Sequence, residues 1–311
     1  MPDAAIRATE RQFLALLEDT APDGVDVTLR LYMLPEMPRA EATRELFLST
    51  YDPIDALYEA GADALIVTGA EPRMPELKQE PYWQALTGLV DWAQDNTISS
   101  IWSCLAAHAA VLHLDGINRR PLDGKLSGVF DCVKAHDHAL MAGAPPLWQV
   151  PHSRHNDLRP DELEAGGYSA LTRSPIAGVD TFIKQRNSLF LFFQGHLEYE
   201  SRSLLREYVR DITRYMDGER DTYPEVPHGY FSGEAEKAFS EVRDVALAKR
   251  NAKPLAAAAA HAAEQHLANP WRLPAANIYR NWLDYLWQRK LRQLPQAQGT
   301  RVAGGIYDQV T

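Results

Sequence analysis

The sequence predicts an α/β fold: a mostly parallel sheet flanked by helices, with a helical C-terminal part. Three observations carry this reading. Strand-like and helix-like stretches alternate through the first half of the chain, the pattern of a parallel sheet covered on both faces. An apolar, β-leaning run over Ile98, Ile101 and Trp102 ends at Cys104 and passes at once into an alanine-rich segment, residues 105–112. That reads as strand, sharp turn, helix. Beyond Gly218 the chain becomes rich in Pro, Gly and Tyr, then turns into three helical patterns.

Taken in order, residues 5–18 form an amphipathic pattern with Ile6, Phe13, Leu14, Leu16 and Leu17 on its apolar face. Residues 25–31 alternate apolar and polar and predict a strand. Residues 44–51 and 55–60 predict short helices. Residues 62–69 read as a buried strand that ends in a turn at Gly69, and 74–81 as a polar loop. Residues 82–96 are helical, with Trp83, Leu86, Leu89, Val90 and Trp92 as a broad apolar side. Residues 127–133 and 147–150 predict strands, the second followed by a polar cluster at 151–155. Residues 181–186 and 189–193 pair as a hairpin around Asn187-Ser188. Residues 201–216 carry a helical stripe of Leu204, Leu205, Tyr208, Ile212 and Tyr215. Helical patterns follow at 234–250, 254–268 and 277–294. The chain divides into an α/β unit, residues 1–231, and a helical extension, residues 232–311, expected to pack back on it.

Composition narrows the function. The 311 residues, 45% apolar and 24% charged, have ample material for a core. A net charge of −10 offers no basic face for nucleic acid. The longest apolar run, residues 254–263, is mostly alanine and too short for a bilayer. Two cysteines, Cys104 and Cys132, make no disulfide framework. No signal peptide is legible at the start, so a cytoplasmic setting is expected.

The chemistry centres on Cys104. At a helix start a thiol meets unsatisfied N–H groups and the positive end of the dipole, which favour the reactive thiolate. The alternative is a buried small hydrophobe. His196 and Glu198 lie two apart after an apolar strand. If the chain stays extended there, they share a face, and the carboxylate orients the imidazole. The alternative is an exposed polar loop. Ligands of parallel sheets collect at the strands' carboxyl ends, where Gly69 and Cys104 both fall.

Seven segments then stand in a telling order: Leu65-Ile-Val-Thr-Gly-Ala70, Tyr82-Trp83, Cys104-Leu-Ala-Ala, Lys125-Leu-Ser-Gly-Val129, Pro151-His-Ser-Arg154, Gly195-His-x-Glu-Tyr199 and Glu207-Tyr-x-Arg-Asp211. Together they resemble the homoserine O-acyltransferase (homoserine O-succinyltransferase) family. That family is similar in fold to class I glutamine amidotransferases, a flavodoxin-like α/β arrangement. The match covers roughly residues 1–231 and resumes at residues 270–272 and 281–283.

The resemblance implies a ping-pong acyl transfer. Cys104 attacks an acyl-CoA thioester, His196 handles the protons, and Glu198 orients His196. Backbone N–H groups of Leu105 and Ala70 receive the oxyanion. Lys125, Ser153 and Arg210 hold the amino-acid acceptor, homoserine; the alternative for Arg210 is a surface helix residue paired with Glu207 or Asp211. No cofactor beyond the co-substrate acyl-CoA is implied, and no partner besides these small molecules except a second copy in a homodimer.

Three departures stand out. The chain opens at Met1-Pro2, where the family's first strand would end, so either the sheet lacks a strand or the sequence starts late. The position that tracks acyl choice is Arg73, neither the glycine of succinyl transfer nor the glutamate of acetyl transfer. An arginine suits the free carboxylate of a succinyl group; the alternative is a solvent-exposed loop residue. Residues 233–269 are longer than the family pattern, and His108 replaces a glutamine. Histidines at 136, 138, 152 and 155 match no zinc spacing, and no metal is expected. Other readings of the scaffold are acetyl transfer to homoserine, acyl transfer to serine, an amidotransferase-like hydrolase, or a non-catalytic metabolite-binding relative.

Overall fold

A computed structural model of the chain describes residues 5–293. The elements run α1 (Ile6–Thr20), β1 (Tyr32–Met33), α2 (Glu41–Thr50), β2 (Asp52–Pro53), α3 (Ile54–Ala60), β3 (Ala64–Val67), α4 (Trp83–Asn96), β4 (Ser99–Ser103) and α5 (Leu105–Asp115). Next come β5 (Arg120–Lys134), β6 (Leu147–Asp157), α6 (Pro160–Ala165), β7 (Ser169–Ala170), β8 (Thr172–Ser174), β9 (Gly178–Val179), β10 (Thr181–Gln185) and β11 (Leu189–Phe193). The last are α7 (Ser203–Met216), α8 (Gly233–Lys249), α9 (Lys253–Glu264) and α10 (Arg272–Gln293).

The central sheet has the order β3-β4-β11-β10-β7. Its first three strands are parallel. The predicted hairpin closes the antiparallel side, with Thr181 opposite Phe193 and Gln185 opposite Leu189. Every residue of β4 and β11 is buried. That follows from cover on both faces, which removes the need for alternation with polar residues. Trp102, Phe190 and Phe192 face α3, α4 and α5. Ile101, Leu191 and Phe193 face α1 and α10. Trp282 of α10 reaches down to donate from Nε1 to Ser99 Oγ at 2.9 Å.

A second, antiparallel sheet of order β6-β5-β8-β9 stands beside the first. Its strands outrun the sequence reading. The polar cluster at 151–155 is not a loop after a strand but lies inside β6, with Ser127 opposite Ser153 and Val129 opposite Pro151. Proline is tolerated at position 151 because the strand is at the sheet's edge.

The strand predicted at 25–31 differs. The segment is largely exposed and joins no ladder, and only Tyr32–Met33 pairs, with Asp52–Pro53. Among the described residues β3 is the outer strand of the central sheet. A groove of about 710 Å³ separates its free edge from residues 24–34. A strand signal without an adjacent partner edge yields no ladder.

The C-terminal helices are not free-standing. Phe239, Val242 and Ala246 of α8 and Ala256, Ala259 and Ala263 of α9 share a core with Leu204, Leu205, Tyr208 and Ile212 of α7. The predicted helix at 277–294 begins earlier, at Arg272, and its last predicted residue, Leu294, lies outside the described residues, as do 1–4 and the remainder of the extension. No described helix is long and apolar enough to cross a membrane.

Candidate active site

Cys104 sits between β4 and α5 with φ 54° and ψ −116°, left-handed for a residue with a side chain. Such a conformation costs of order 1–3 kcal/mol and persists only where surroundings hold it. Its N–H donates to Phe193 O at 2.7 Å, and its C=O accepts from His108 N at 3.2 Å. The turn lifts the thiol to the sheet's carboxyl edge, where it is half-buried.

Next to β4 runs β11, parallel to it, so the residues after β11 emerge on the same edge. Gly195 fits there because nothing larger can. A Cβ on it would stand 2.6 Å from Val150 Cγ1, 2.7 Å from Asp180 Oδ1 and 2.9 Å from Pro151 O. Gly195 N donates to Asp180 Oδ1 at 3.0 Å and His196 N to Pro151 O at 2.8 Å. The chain then turns instead of staying extended, with Tyr199 N donating to His196 O at 3.1 Å. His196 and Glu198 still meet, Nδ1 to Oε1 at 2.8 Å, through a turn and not through strand alternation.

The thiol and His196 act on each other electrostatically. Burial alone raises a thiol, but the His196 imidazolium, by charge and by hydrogen bond, brings Cys104 below its ordinary value. Burial alone lowers a histidine, but Glu198 and Cys104 hold His196 well above its ordinary value. The pair thus favours thiolate and imidazolium. Cys132 behaves oppositely: fully buried in the core, it is pushed up by burial and held as an inert thiol.

The backbone on the other side of the thiol comes from the loop after β3. A Cβ on Gly69 would meet Leu105 N at 2.8 Å, so this loop, continuing into Ala70, lies directly on the first turn of α5. The Leu105 amide belongs to that first turn and has no intrahelical acceptor. Glu71 fastens the loop to α7, its two oxygens accepting from Arg214 Nη1 and Nη2 at 3.0 and 3.2 Å. Arg73 is exposed. Its backbone N–H donates to Glu80 Oε1 at 2.6 Å, and its guanidinium reaches Pro38 O at 3.4 Å.

Lys125 and Ser153 converge on Glu207. Lys125 Nζ donates to Glu207 Oε2 at 3.3 Å and to Asp211 Oδ2 at 2.8 Å. Ser153 Oγ donates to the same Glu207 oxygen in a short hydrogen bond. Arg210, on the same turn of α7, pairs with Asp211 at 3.1 Å. Burial opposes charge on Glu207, but Lys125, Ser153 and Tyr199 hold its carboxyl below the usual range. Tyr199 links the two halves of the site. Its ring stacks on His196, centroids 4.2 Å apart and planes 15° apart, and its hydroxyl donates to Glu207 Oε1.

Sequence reasoning gave no role to Tyr199, Glu207 or Asp180. The signal for two of them was present. Tyr199 falls three residues after His196, and Glu207 shares a helix face with Arg210 and Asp211 by i,i+3 and i,i+4 spacing. His108, which stands where a glutamine was expected, is not at the reacting atoms. It is buried, contacts Gln194 Oε1 through Nε2 at 2.8 Å, and is lowered to about 3 by burial.

The arrangement matches known proteins along nearly its whole length. The profile described as homoserine O-succinyltransferase covers residues 1–292. The homoserine O-succinyltransferase of Rhodopseudomonas palustris is 50% identical over 283 residues, 91% of this chain and 85% of that protein. That of Bradyrhizobium japonicum is 46% identical over 297 residues, 92% and 87% of the two chains. Among solved structures, a glutamine amidotransferase from Thermotoga maritima is 12% identical and covers 84% of this chain and 99% of its own, with a TM-score of 0.45. Family profile and relatives agree: the chain belongs to the homoserine O-succinyltransferase family.

Proposed function

We propose that the protein transfers a succinyl group from succinyl-CoA to the hydroxyl of homoserine, in methionine biosynthesis, through a thioester on Cys104. The observation that carries the mechanism is the placement of Cys104, at the β4–α5 turn, and of His196, joined through Nδ1 to Glu198 Oε1 at 2.8 Å, on one edge of the sheet; the mutual electrostatics of thiol and imidazole favour the thiolate. The Cys104 thiolate attacks the thioester carbonyl carbon, forming a C–S bond. The tetrahedral oxyanion is received by the N–H groups of Leu105 and Ala70. The bond to the CoA sulfur breaks, and that sulfur leaves with the proton of His196. His196, now neutral and held by Glu198 through Nδ1, accepts the hydroxyl proton of homoserine through Nε2. The hydroxyl oxygen attacks the acyl-enzyme, the C–S bond breaks, and Cys104 is restored as thiolate.

Lys125, Ser153 and Arg210 are assigned to the acceptor, Arg210 taking its carboxylate in a bidentate pair. Arg73 is assigned to the far carboxylate of the succinyl chain. Acyl-CoA serves as co-substrate and no resident cofactor is required. The assignment extends to a homodimer in the cytoplasm, with residues 1–231 as the catalytic unit and 232–311 as its extension.

Intact mass measurement tests this. Incubation with succinyl-CoA and no acceptor is expected to add one succinyl group, lost on addition of homoserine and never formed in Cys104→Ser. Release of CoA only when homoserine is present, or glutamine hydrolysis without CoA, would overturn the reading.

A further inference from the structure

We propose that Tyr199 and Glu207 are a positioning pair that ties the acceptor site to the His196 ring and serves the second half-reaction far more than the first. This rests on the ping-pong reading above. A ring stack followed by a chain of hydrogen bonds runs through the pair from the imidazole to the residues assigned to the acceptor. Tyr199 covers a face of the His196 ring at 4.2 Å. Its hydroxyl donates to Glu207 Oε1, while Glu207 Oε2 accepts from Ser153 and Lys125. Burial, and then the charge of Glu207, keep the phenol protonated, so it acts as a donor to the carboxylate.

The two half-reactions make different demands on this link. Acylation moves a proton only among the Cys104 sulfur, His196 and the departing CoA sulfur. It needs no acceptor. Transfer needs a neutral imidazole aimed at a hydroxyl whose position is set by the acceptor site. A proton transfer of this kind depends on heavy-atom separation and angle, and small misplacements cost orders of magnitude. The Tyr199–Glu207 bond sets that relative placement. Its loss leaves the turn itself standing, because the Tyr199 carbonyl is separately held by Trp271 Nε1 at 2.7 Å.

The full-length chain, the Tyr199→Phe variant and the Glu207→Gln variant are compared in two rapid-quench measurements. The first follows CoA release from succinyl-CoA in the first turnover without acceptor. The second follows discharge of the preformed acyl-enzyme by homoserine. Both variants are expected to acylate within about threefold of the parent and to discharge at least about tenfold more slowly, with a raised KM for homoserine. Tyr199→Phe keeps the ring stack, and Glu207→Gln keeps the shape, so a general loss of structure would slow both halves alike. Equal slowing of both halves, or of neither, overturns the proposal. If the parent chain forms no acyl-enzyme at all, the ping-pong reading fails and takes this pair with it. A parent that acylates beside variants that discharge normally fails the pair alone.

Discussion

Gly69 and Leu105 touch so closely that a β-carbon on the glycine would lie 2.8 Å from the leucine amide nitrogen and 3.0 Å from its Cβ. Two segments far apart in sequence, the loop after β3 and the first turn of α5, are thereby pressed together beside the Cys104 sulfur. Real Cβ atoms do not approach a backbone nitrogen so closely, and neither partner is the end of a flexible chain.

Gly69→Ala is therefore expected to push the loop away from α5 and pull apart the two N–H groups proposed to receive the oxyanion. Removing one such donor typically costs 10²–10³ in kcat. A fall of at least about tenfold in the rate of acylation is expected in stopped-flow release of CoA, with the thermal midpoint moved far less. An unchanged acylation rate would remove Leu105 and Ala70 from the mechanism.

The acid–base behaviour follows from the signs. Thiolate exists above the depressed macroscopic pKa of the Cys104–His196 pair, and imidazolium exists below the raised one. Acylation should thus show a broad plateau that reaches below the ordinary thiol range. Glu198 raises His196 by its charge. Glu198→Gln is expected to move the alkaline limb of the acylation profile to lower pH. A limb that stays in place would mean that Glu198 does not hold His196 up.

Donor choice tests Arg73. Its guanidinium is exposed and held by one long contact to Pro38 O at 3.4 Å, so it can turn toward a ligand at small cost. Arg73→Ala is expected to raise the KM for succinyl-CoA about tenfold while leaving that for acetyl-CoA within about twofold. Parallel changes for the two donors would place the succinyl carboxylate elsewhere.

His108 gives a stability prediction. Its pKa in the folded protein is about 3, below the 6.5 of an unperturbed histidine. The unfolded chain therefore binds the extra proton first. The stabilisation is complete above about pH 6.5 and is lost as pH falls toward 3, with a slope of at most about 1.4 kcal/mol per pH unit. His108→Gln can still donate to Gln194 and carries no titratable group. Urea unfolding from pH 7 to 4 is expected to fall less steeply in the variant than in the parent chain. Equal slopes would place the acid sensitivity in other groups.

The fold was legible where a single element carries its own signal. The stripe through Leu204, Leu205, Tyr208 and Ile212 marks α7 without reference to anything else, and Asn187-Ser188 marks the hairpin. Residues 25–31 carry an equally good strand signal, yet a ladder needs an adjacent edge, and that is a property of the assembled sheet. The site divides in the same way. Cys104 announces itself as a candidate by the strand-to-helix switch; His196 and Glu198 stand out as an imidazole and a carboxylate after an apolar strand, but a turn and not strand spacing brings them together. The meeting of Lys125 and Ser153 on Glu207 depends on the β5–β6 register, which shifts between Pro121 and Leu126. Nothing local to either residue encodes that shift. Arg210, which the resemblance assigns to the acceptor, pairs with its neighbour Asp211 at 3.1 Å.

The contrast between the two cysteines has a practical consequence. Cys132 lies at 0% exposure in a sealed core, whereas Cys104 is accessible and depressed. The native chain thus offers solvent one cysteine sulfur, biased toward its reactive thiolate, and an alkylating dye is expected to titrate it with unit stoichiometry. The same label counts working centres in any preparation, reports the pH at which the centre switches on, and is blocked by any donor that has already acylated it.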